Sequence, residues 1–293
     1  MYKKVFLMAP KGTLIPIGGN EDKGFEDDEI HRLDYVEEGI LSHVVREAGG
    51  KTAKIVVIPT ASSIPVEVGK NYLKAFGTLG CKNISVLNIK SREASESRKA
   101  IALIQNADCI MFSGGDQSKI SKYIGGTTIH NILLDRYKND ANFVIAGTSA
   151  GAMAMSAEMI TGGSSTKAFV KGAVSMHQGI GLIPQLIIDT HFIQRGRFGR
   201  ISEAVAKFPD LIGVGLAEDT GMIIKNGNEC TVIGSGMAIV FDGSSLTHNN
   251  EKILKVGTPM TMTNLKIHVL ANGDEFNIST RQINVLPVAS PFI

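Results

Sequence analysis

Short, nearly continuous apolar runs alternate with amphipathic stretches along most of the chain. Leu14–Ile17, Lys54–Pro59, Ile84–Ile89, Cys109–Phe112, Phe143–Ala146, Leu186–Ile188 and Ile212–Leu216 are the apolar runs. Runs of this length without polar alternation suit strands covered on both faces, as in a mainly parallel sheet. Between them, apolar positions recur at intervals of three and four. In Asp34–Ala48 these are Val36, Ile40, Leu41, Val44 and Val45, and Gly49-Gly50 follows as a stop. Val66–Leu79, Ser95–Gln105, Thr128–Lys138 and Arg197–Phe208 read as helices in the same way. This alternation predicts a three-layer α/β fold around a mainly parallel sheet.

From about residue 221 the pattern changes. Gly221–Lys225, Cys230–Ile233, Ala238–Phe241 and Leu265–Leu270 are short strand-like runs joined by Asn-Gly, Asp-Gly and Asn-Gly-Asp turns. Such turns predict hairpins, here expected on one edge of the same sheet. No linker-like tract and no repeat interrupts the chain, so residues 1–293 are expected to form a single domain with a β-rich end.

Composition narrows the function. Thirty basic and 28 acidic residues give a net charge of +2, which argues against nucleic acid or an anionic membrane as the main partner. No apolar run approaches the length of a membrane span, and the start of the chain is a poor signal peptide. Three scattered cysteines, Cys81, Cys109 and Cys230, build neither a disulfide framework nor a zinc site, so a reducing cytoplasm is expected. The acidic stretch Asn20–Glu29 reads either as a solvated loop before a helix or as a negative rim for a cationic substrate.

The strongest chemical signal is Gly147-Thr148-Ser149-Ala150-Gly151, a Gly-x-Ser-x-Gly turn between a buried strand and a helix-compatible run. Such a turn exposes the Ser149 hydroxyl and sets the Ala150 N–H at a helix start, where it can face an oxyanion. Without further support it is equally a glycine-rich turn in a non-catalytic binding module. A serine nucleophile needs a base held by a carboxylate. Of seven histidines, His191 alone closes an apolar strand, at the end where open α/β sheets place their sites. Ile212–Leu216 leads into Glu218 and Asp219, either of which can orient His191. The Asp189/His191 spacing also suggests a metal pair, but no third ligand accompanies it. A second glycine turn, Ser113-Gly114-Gly115-Asp116-Gln117, can supply an anion-binding nest. No complete dinucleotide or phosphate-loop motif is present, so no cofactor and no metal are expected.

Taken in order, Gly18-Gly19, Phe112–Gln117, Gly147–Ala152, Asp189-Thr190-His191-Phe192, Gln194–Arg200 and Gly213–Asp219 resemble the serine-peptidase family of the cyanophycinases and aspartyl dipeptidase, over roughly residues 12 to 245. The resemblance implies a flavodoxin-like fold related to class I glutamine amidotransferases. It implies Ser149 as nucleophile, His191 as base, Glu218 as orienting acid, and Gly115 and Ala150 as oxyanion donors. Asp116, Gln117, Asp189, Arg197 and Arg200 match positions lining the family's substrate site. It further implies a homodimer acting on an aspartyl peptide or on cyanophycin, a poly-aspartate bearing arginine on each β-carboxyl. Thr190 departs from the glutamine often found at its position in cyanophycinases.

Overall fold

The computed structural model describes residues 9–24, 33–163 and 167–287. The first half contains β1 (Thr13–Ile17), α1 (Ile40–Glu47), β2 (Ile55–Ile58), α2 (Pro65–Thr78), β3 (Ile84–Val86), α3 (Arg92–Ser95), α4 (Arg98–Asn106), β4 (Cys109–Phe112), α5 (Gln117–Ile124), α6 (Thr128–Asn139) and β5 (Val144–Thr148). Then follow α7 (Ala150–Met153), β6 (Glu158–Gly163), β7 (Val174–Gln178), β8 (Leu186–Asp189), α8 (Phe198–Lys207) and β9 (Ile212–Leu216). The last strands are β10 (Thr220–Lys225), β11 (Glu229–Gly234), β12 (Ala238–Asp242), β13 (Lys266–Leu270), β14 (Glu275–Asn277) and β15 (Ile283–Asn284).

The main sheet has the order β15-β14-β11-β10-β1-β5-β4-β2-β3. Strands β1, β5, β4, β2 and β3 are parallel, and β10, β11, β14 and β15 extend the β1 side in antiparallel fashion. Its parallel strands β1, β2, β4 and β5 are buried on both faces because alternate residues enter different cores, whereas edge strand β3 is partly exposed. Leu14, Val56, Ile58, Ile110 and Ile145 pack with Ile104, Ile120, Ile129 and Leu133 of α4–α6. Ile15, Ile55, Val57, Met111 and Val144 pack with Leu41, Val44, Tyr72 and Phe76 of α1 and α2. This is the expected α/β layering of helix, sheet and helix.

The placement of the later strands differs from expectation. β8 and β9 pair in parallel, but in a second sheet of order β13-β12-β9-β8 and not in the main one. β12 and β13 join them there, so only part of the C-terminal hairpin region extends the main sheet's edge. The physical reason is a second set of faces. Ile212, Val214, Ala238 and Val240 point into the main core, whereas Ile239 and Phe241 pack with Phe192, Ile201 and Val205 against α8. The expected helix Ser95–Gln105 is divided, because the Ser97 hydroxyl accepts the Ala100 N–H and starts a new helix. Helix α5 and the β6–β7 hairpin carried no clear sequence signal and are additions to the expected set.

Candidate active site

The two sheets meet where three chain segments end together. Ile17 of β1 lies opposite Thr148 of β5, and Phe112 of β4 lies opposite Gly147, so three parallel strands finish at one level. The chain leaves β9 of the second sheet at Leu216 and enters β10 of the main sheet at Thr220. Glu218 lies in that crossing. His191 follows β8, and its N–H donates to the Gly18 carbonyl (2.8 Å), while the Phe192 N–H donates to Leu216 (3.0 Å). The loop after β8 is thereby fastened to both sheets.

Ser149 begins α7 with φ 50° and ψ −111°, outside the usual helical and extended regions. A non-glycine residue held there costs on the order of 1–3 kcal/mol and persists only because its surroundings over-determine it. The Ser149 N–H donates to the Ile17 carbonyl at 2.9 Å, which holds the bend against β1. His191 (φ 47°) and Asp219 (φ 47°) also have left-handed backbones, so unusual geometry gathers around one point.

These constraints bring three predicted residues into one hydrogen-bonded chain. His191 Nε2 lies 3.0 Å from Ser149 Oγ, and His191 Nδ1 lies 2.6 Å from Glu218 Oε1. With its proton on Nδ1, the imidazole donates to Glu218 and accepts from the serine hydroxyl. Burial pushes the His191 pKa below the ordinary value; the Glu218 hydrogen bond opposes this, and Arg195 and Arg197 reinforce it. The imidazole is therefore neutral, and able to accept a proton, near neutral pH. The choice between two adjacent carboxylates falls to Glu218. Asp219 turns away and accepts the Asp22 N–H (3.1 Å) and the Ser235 hydroxyl (2.6 Å).

Close approach explains the glycines flanking this chain. A Cβ on Gly19 would lie 2.4 Å from His191 Cε1, so only glycine lets β1's end pass under the imidazole. Gly115 has φ 135°, and a Cβ there would lie 2.2 Å from the Ala61 carbonyl oxygen. Gly114 brings that turn against Ser149, with an ideal Cβ 3.3 Å from Ser149 Cβ. The Ala150 N–H is a first-turn donor without an intrahelical acceptor. The Gly114-Gly115 turn and the start of α7 thus approach Ser149 from two strand ends.

The other predicted residues separate into distinct settings. Asp116 is exposed and caps α5 by accepting the Ser118 N–H at 2.9 Å. The Gln117 amide donates to the Ile160 carbonyl of β6 at 2.7 Å. Asp189 is 0% exposed. Its carboxylate takes both Nε (2.7 Å) and Nη2 (2.6 Å) of Arg200, and Nη1 of Arg197 at 2.9 Å. Asp189 is thus not open to a substrate guanidinium; it holds two arginines in place. It does not pair with His191 for a metal either, and no cluster of three or more metal-ligating side chains occurs among the described residues. Thr190 is buried and its hydroxyl faces Met153 Sδ at 3.4 Å.

Four residues in the site escaped the sequence analysis as participants. Arg195 joins Arg197, Arg200 and Gly163 around a cleft of about 190 Å³. Gln194 Oε1 accepts the Glu218 N–H at 3.2 Å, and Asn20 Nδ2 donates to Glu218 Oε2 at 3.3 Å. Glu21 is buried, with only 3% exposure, so neither the solvated-loop nor the open-rim reading applies to it. The Glu26–Glu29 part of that acidic stretch, and His31, lie outside the described residues. The signal available for Asn20 and Glu21 was their position directly after Gly18-Gly19.

All three cysteines are buried and free. Among the described residues no helix is long and apolar enough to cross a membrane.

Residues 30–232 match the model of Peptidase family S51. A cyanophycinase of Trichormus variabilis is 34% identical over 275 residues, which cover 94% of this chain and 88% of that protein. A cyanophycinase of Geminocystis herdmanii is 32% identical over 272 residues, covering 93% of this chain and 96% of that one. Among solved structures, a peptidase from an acI-B1 Actinobacterium superposes with a TM-score of 0.65 at 19% identity, covering 93% of this chain and 99% of its own. A putative peptidase E protein from Listeria monocytogenes gives a TM-score of 0.51 at 18% identity, over 76% and 98% of the two chains. Those two structures share the fold; the sequence relationships place the protein more narrowly. With the family match spanning most of the chain, the non-catalytic reading falls away: the chain belongs to Peptidase family S51 and is a serine-type peptidase.

Proposed function

We propose that this protein is a cyanophycinase, an exopeptidase that cleaves the aspartyl backbone of cyanophycin and releases β-Asp-Arg dipeptides. The observation that carries the reading is the continuous hydrogen-bonded chain Ser149–His191–Glu218 at the junction of the two sheets. The similarity to cyanophycinases supplies the substrate class.

In this reading Ser149 Oγ attacks a main-chain aspartyl carbonyl while His191 Nε2 takes the hydroxyl proton. Glu218 stabilises the imidazolium that results. The negative charge formed on the carbonyl oxygen is received by the N–H groups of Gly115 and Ala150, fixed before the reaction begins. His191 then returns its proton to the departing amine, leaving an acyl ester on Ser149. Water, deprotonated by the same imidazole, hydrolyses that ester and regenerates the serine.

The substrate repeats carboxylates and guanidinium groups. The cleft between Arg195, Arg197 and Arg200 supports carboxylate recognition, since Asp189 fixes two of its guanidinium groups in advance. Exposed Asp116, at the start of α5, is available to a substrate guanidinium. Gln117 supports that corner by tying α5 to β6. We place the enzyme in the cytoplasm as a homodimer, as its family resemblance implies. Incubation with purified cyanophycin followed by mass spectrometry tests the proposal. β-Asp-Arg is the expected product; rapid release from short Asp-X dipeptides with the polymer untouched would transfer the protein to the dipeptidase reading.

A further inference from the structure

We propose that Glu21 is a positioning residue for this hydrolysis: its buried carboxylate holds the nucleophile's turn through Thr148, and the loop that carries it holds Glu218 against His191. The inference rests on the reading of Ser149 as nucleophile and extends it to a residue in neither the triad nor the oxyanion turns.

The geometry joins Glu21 to both ends of the site. Its Oε2 accepts the hydroxyl of Thr148 at 2.5 Å, and Thr148 immediately precedes Ser149. Its Oε1 accepts the Tyr72 hydroxyl at 2.5 Å and lies 3.2 Å from Lys23 Nζ. On the other side, Asn20 donates to Glu218, and the Asp22 N–H donates to Asp219. Three consecutive residues of one loop thus touch the nucleophile's strand and the carboxylates after β9.

A carboxylate with 3% exposure needs a reason to remain at such a place. Burial alone raises its pKa, yet the Lys23 ammonium and the Thr148 and Tyr72 donors outweigh burial and hold it below the ordinary range. An ionised carboxylate makes shorter and stronger hydrogen bonds than a neutral acceptor. The Thr148 hydroxyl is therefore a firm anchor one residue before a backbone with φ 50°. Tyr72 secures the carboxylate from α2, within the packed layer that also contains Phe76. Nothing in this network reaches the reacting atoms, so its effect on rate must pass through the geometry of Ser149 and Glu218.

Glu21→Gln tests this with little change of volume. An amide offers one oxygen to two hydroxyl donors, so Thr148 or Tyr72 loses its acceptor, and Lys23 loses its counter-charge. Second-order labelling by a fluorophosphonate probe and turnover of cyanophycin are measured for the wild type, Glu21→Gln, Thr148→Val and the double variant. Labelling and kcat are expected to fall by about 10- to 100-fold with KM little changed, the scale produced by misplacing a reacting group by up to about 1 Å. Because Glu21 acts through Thr148, the double variant should be no slower than the slower single variant. A folded Glu21→Gln protein labelled at the wild-type rate, or losses that multiply in the double variant, would overturn the proposal. If Glu21→Gln does not fold, Thr148→Val decides alone: slowed labelling supports the proposal and wild-type labelling refutes it. A wild-type protein that the probe does not label would instead remove the nucleophile reading itself.

Discussion

Ser149 Oγ lies 3.0 Å from His191 Nε2, and its loss as Ser149→Ala removes almost no volume. The variant should keep its fold by circular dichroism and thermal melting while kcat falls by about 10⁴- to 10⁶-fold. A well-folded variant retaining a tenth of wild-type activity would sink the nucleophile assignment. Glu218→Gln should be milder than loss of the nucleophile, because the carboxylate orients and stabilises the imidazole without making a bond to substrate. Asp219→Asn should act differently, lowering the melting temperature more than kcat, since Asp219 accepts from Asp22 and Ser235 and does not face His191. A larger kcat loss in Asp219→Asn than in Glu218→Gln would reverse the choice between the neighbours. The same imidazole fixes the acid limb of the pH profile. Burial, aided by Arg195 and Arg197, depresses the His191 pKa against the pull of Glu218. A base with a depressed pKa stays neutral to lower pH, so kcat/KM should decline only below about 6.5, the unperturbed imidazole value. Removing one depressing charge as Arg195→Gln should move the midpoint upward. A midpoint that moved downward in this variant would contradict the electrostatic account.

Among the elements, β9 shows what the chain's pattern can and cannot disclose. Ile212–Leu216 was legible as a buried strand, as were β1, β2, β4 and β5, because β-branched runs between turns have few alternatives. Its partners were not legible. An apolar run states that both faces are covered, whereas the choice of sheet depends on which helix covers them. Here Gly213 and Gly215 leave room for Ile201 and Val205 of α8 and for Phe192. Ser149, His191 and the Glu218/Asp219 pair stood out for a related reason. Each lies within one to three residues of a strand end, where a chemistry-bearing residue contrasts with its apolar neighbours, though the choice between the two carboxylates came only from the resemblance. Glu21 was hidden because burial of a carboxylate is decided by partners as distant in sequence as Tyr72 and Thr148. The close fit at β9 gives a prediction. A Cβ on Gly215 would lie 2.4 Å from the Phe192 ring, directly beside His191 in the chain. A Cβ on Gly213 would meet the Cγ2 methyl of Val205 at 2.7 Å and the Cγ1 methylene of Ile201 at 2.9 Å. Both alanine substitutions should cost about 1–3 kcal/mol of stability through overpacking. Only Gly215→Ala should also slow fluorophosphonate labelling of the folded protein, since Phe192 cannot shift without carrying His191. Equal labelling rates in the two variants would show that the β8–α8 loop absorbs the strain without moving the base.

Across the whole molecule, the site is assembled from two sheets, and the same junction sets the charge pattern offered to a substrate. Ser149 and the Gly114-Gly115 turn come from the main sheet; His191 and three arginines follow β8 of the second. Net charge is nearly balanced at +2, so recognition depends on local placement and not on a long-range field. The arginines are not equivalent. Arg195 is exposed, whereas Arg200 is 7% exposed and grips both oxygens of fully buried Asp189. Arg200→Ala should therefore weaken the fold as well as the site, since breaking a buried ion pair costs about 3–5 kcal/mol. Arg195→Ala should leave stability near wild type and raise KM for an acidic substrate. The corresponding substrate experiment compares cyanophycin with unmodified poly-aspartate at equal residue concentration. Poly-aspartate can fill the arginine cleft but leaves the acidic corner at Asp116 without a guanidinium, and its crowded carboxylates repel that corner. It should be cleaved about fivefold more slowly, the scale set by losing one solvent-exposed ion pair worth about 1 kcal/mol. Asp116→Asn should narrow that gap by slowing cyanophycin more than poly-aspartate. If the two polymers were cleaved alike by the wild type, the arginine side chains of cyanophycin would play no part in recognition. Only the aspartyl backbone would then be read.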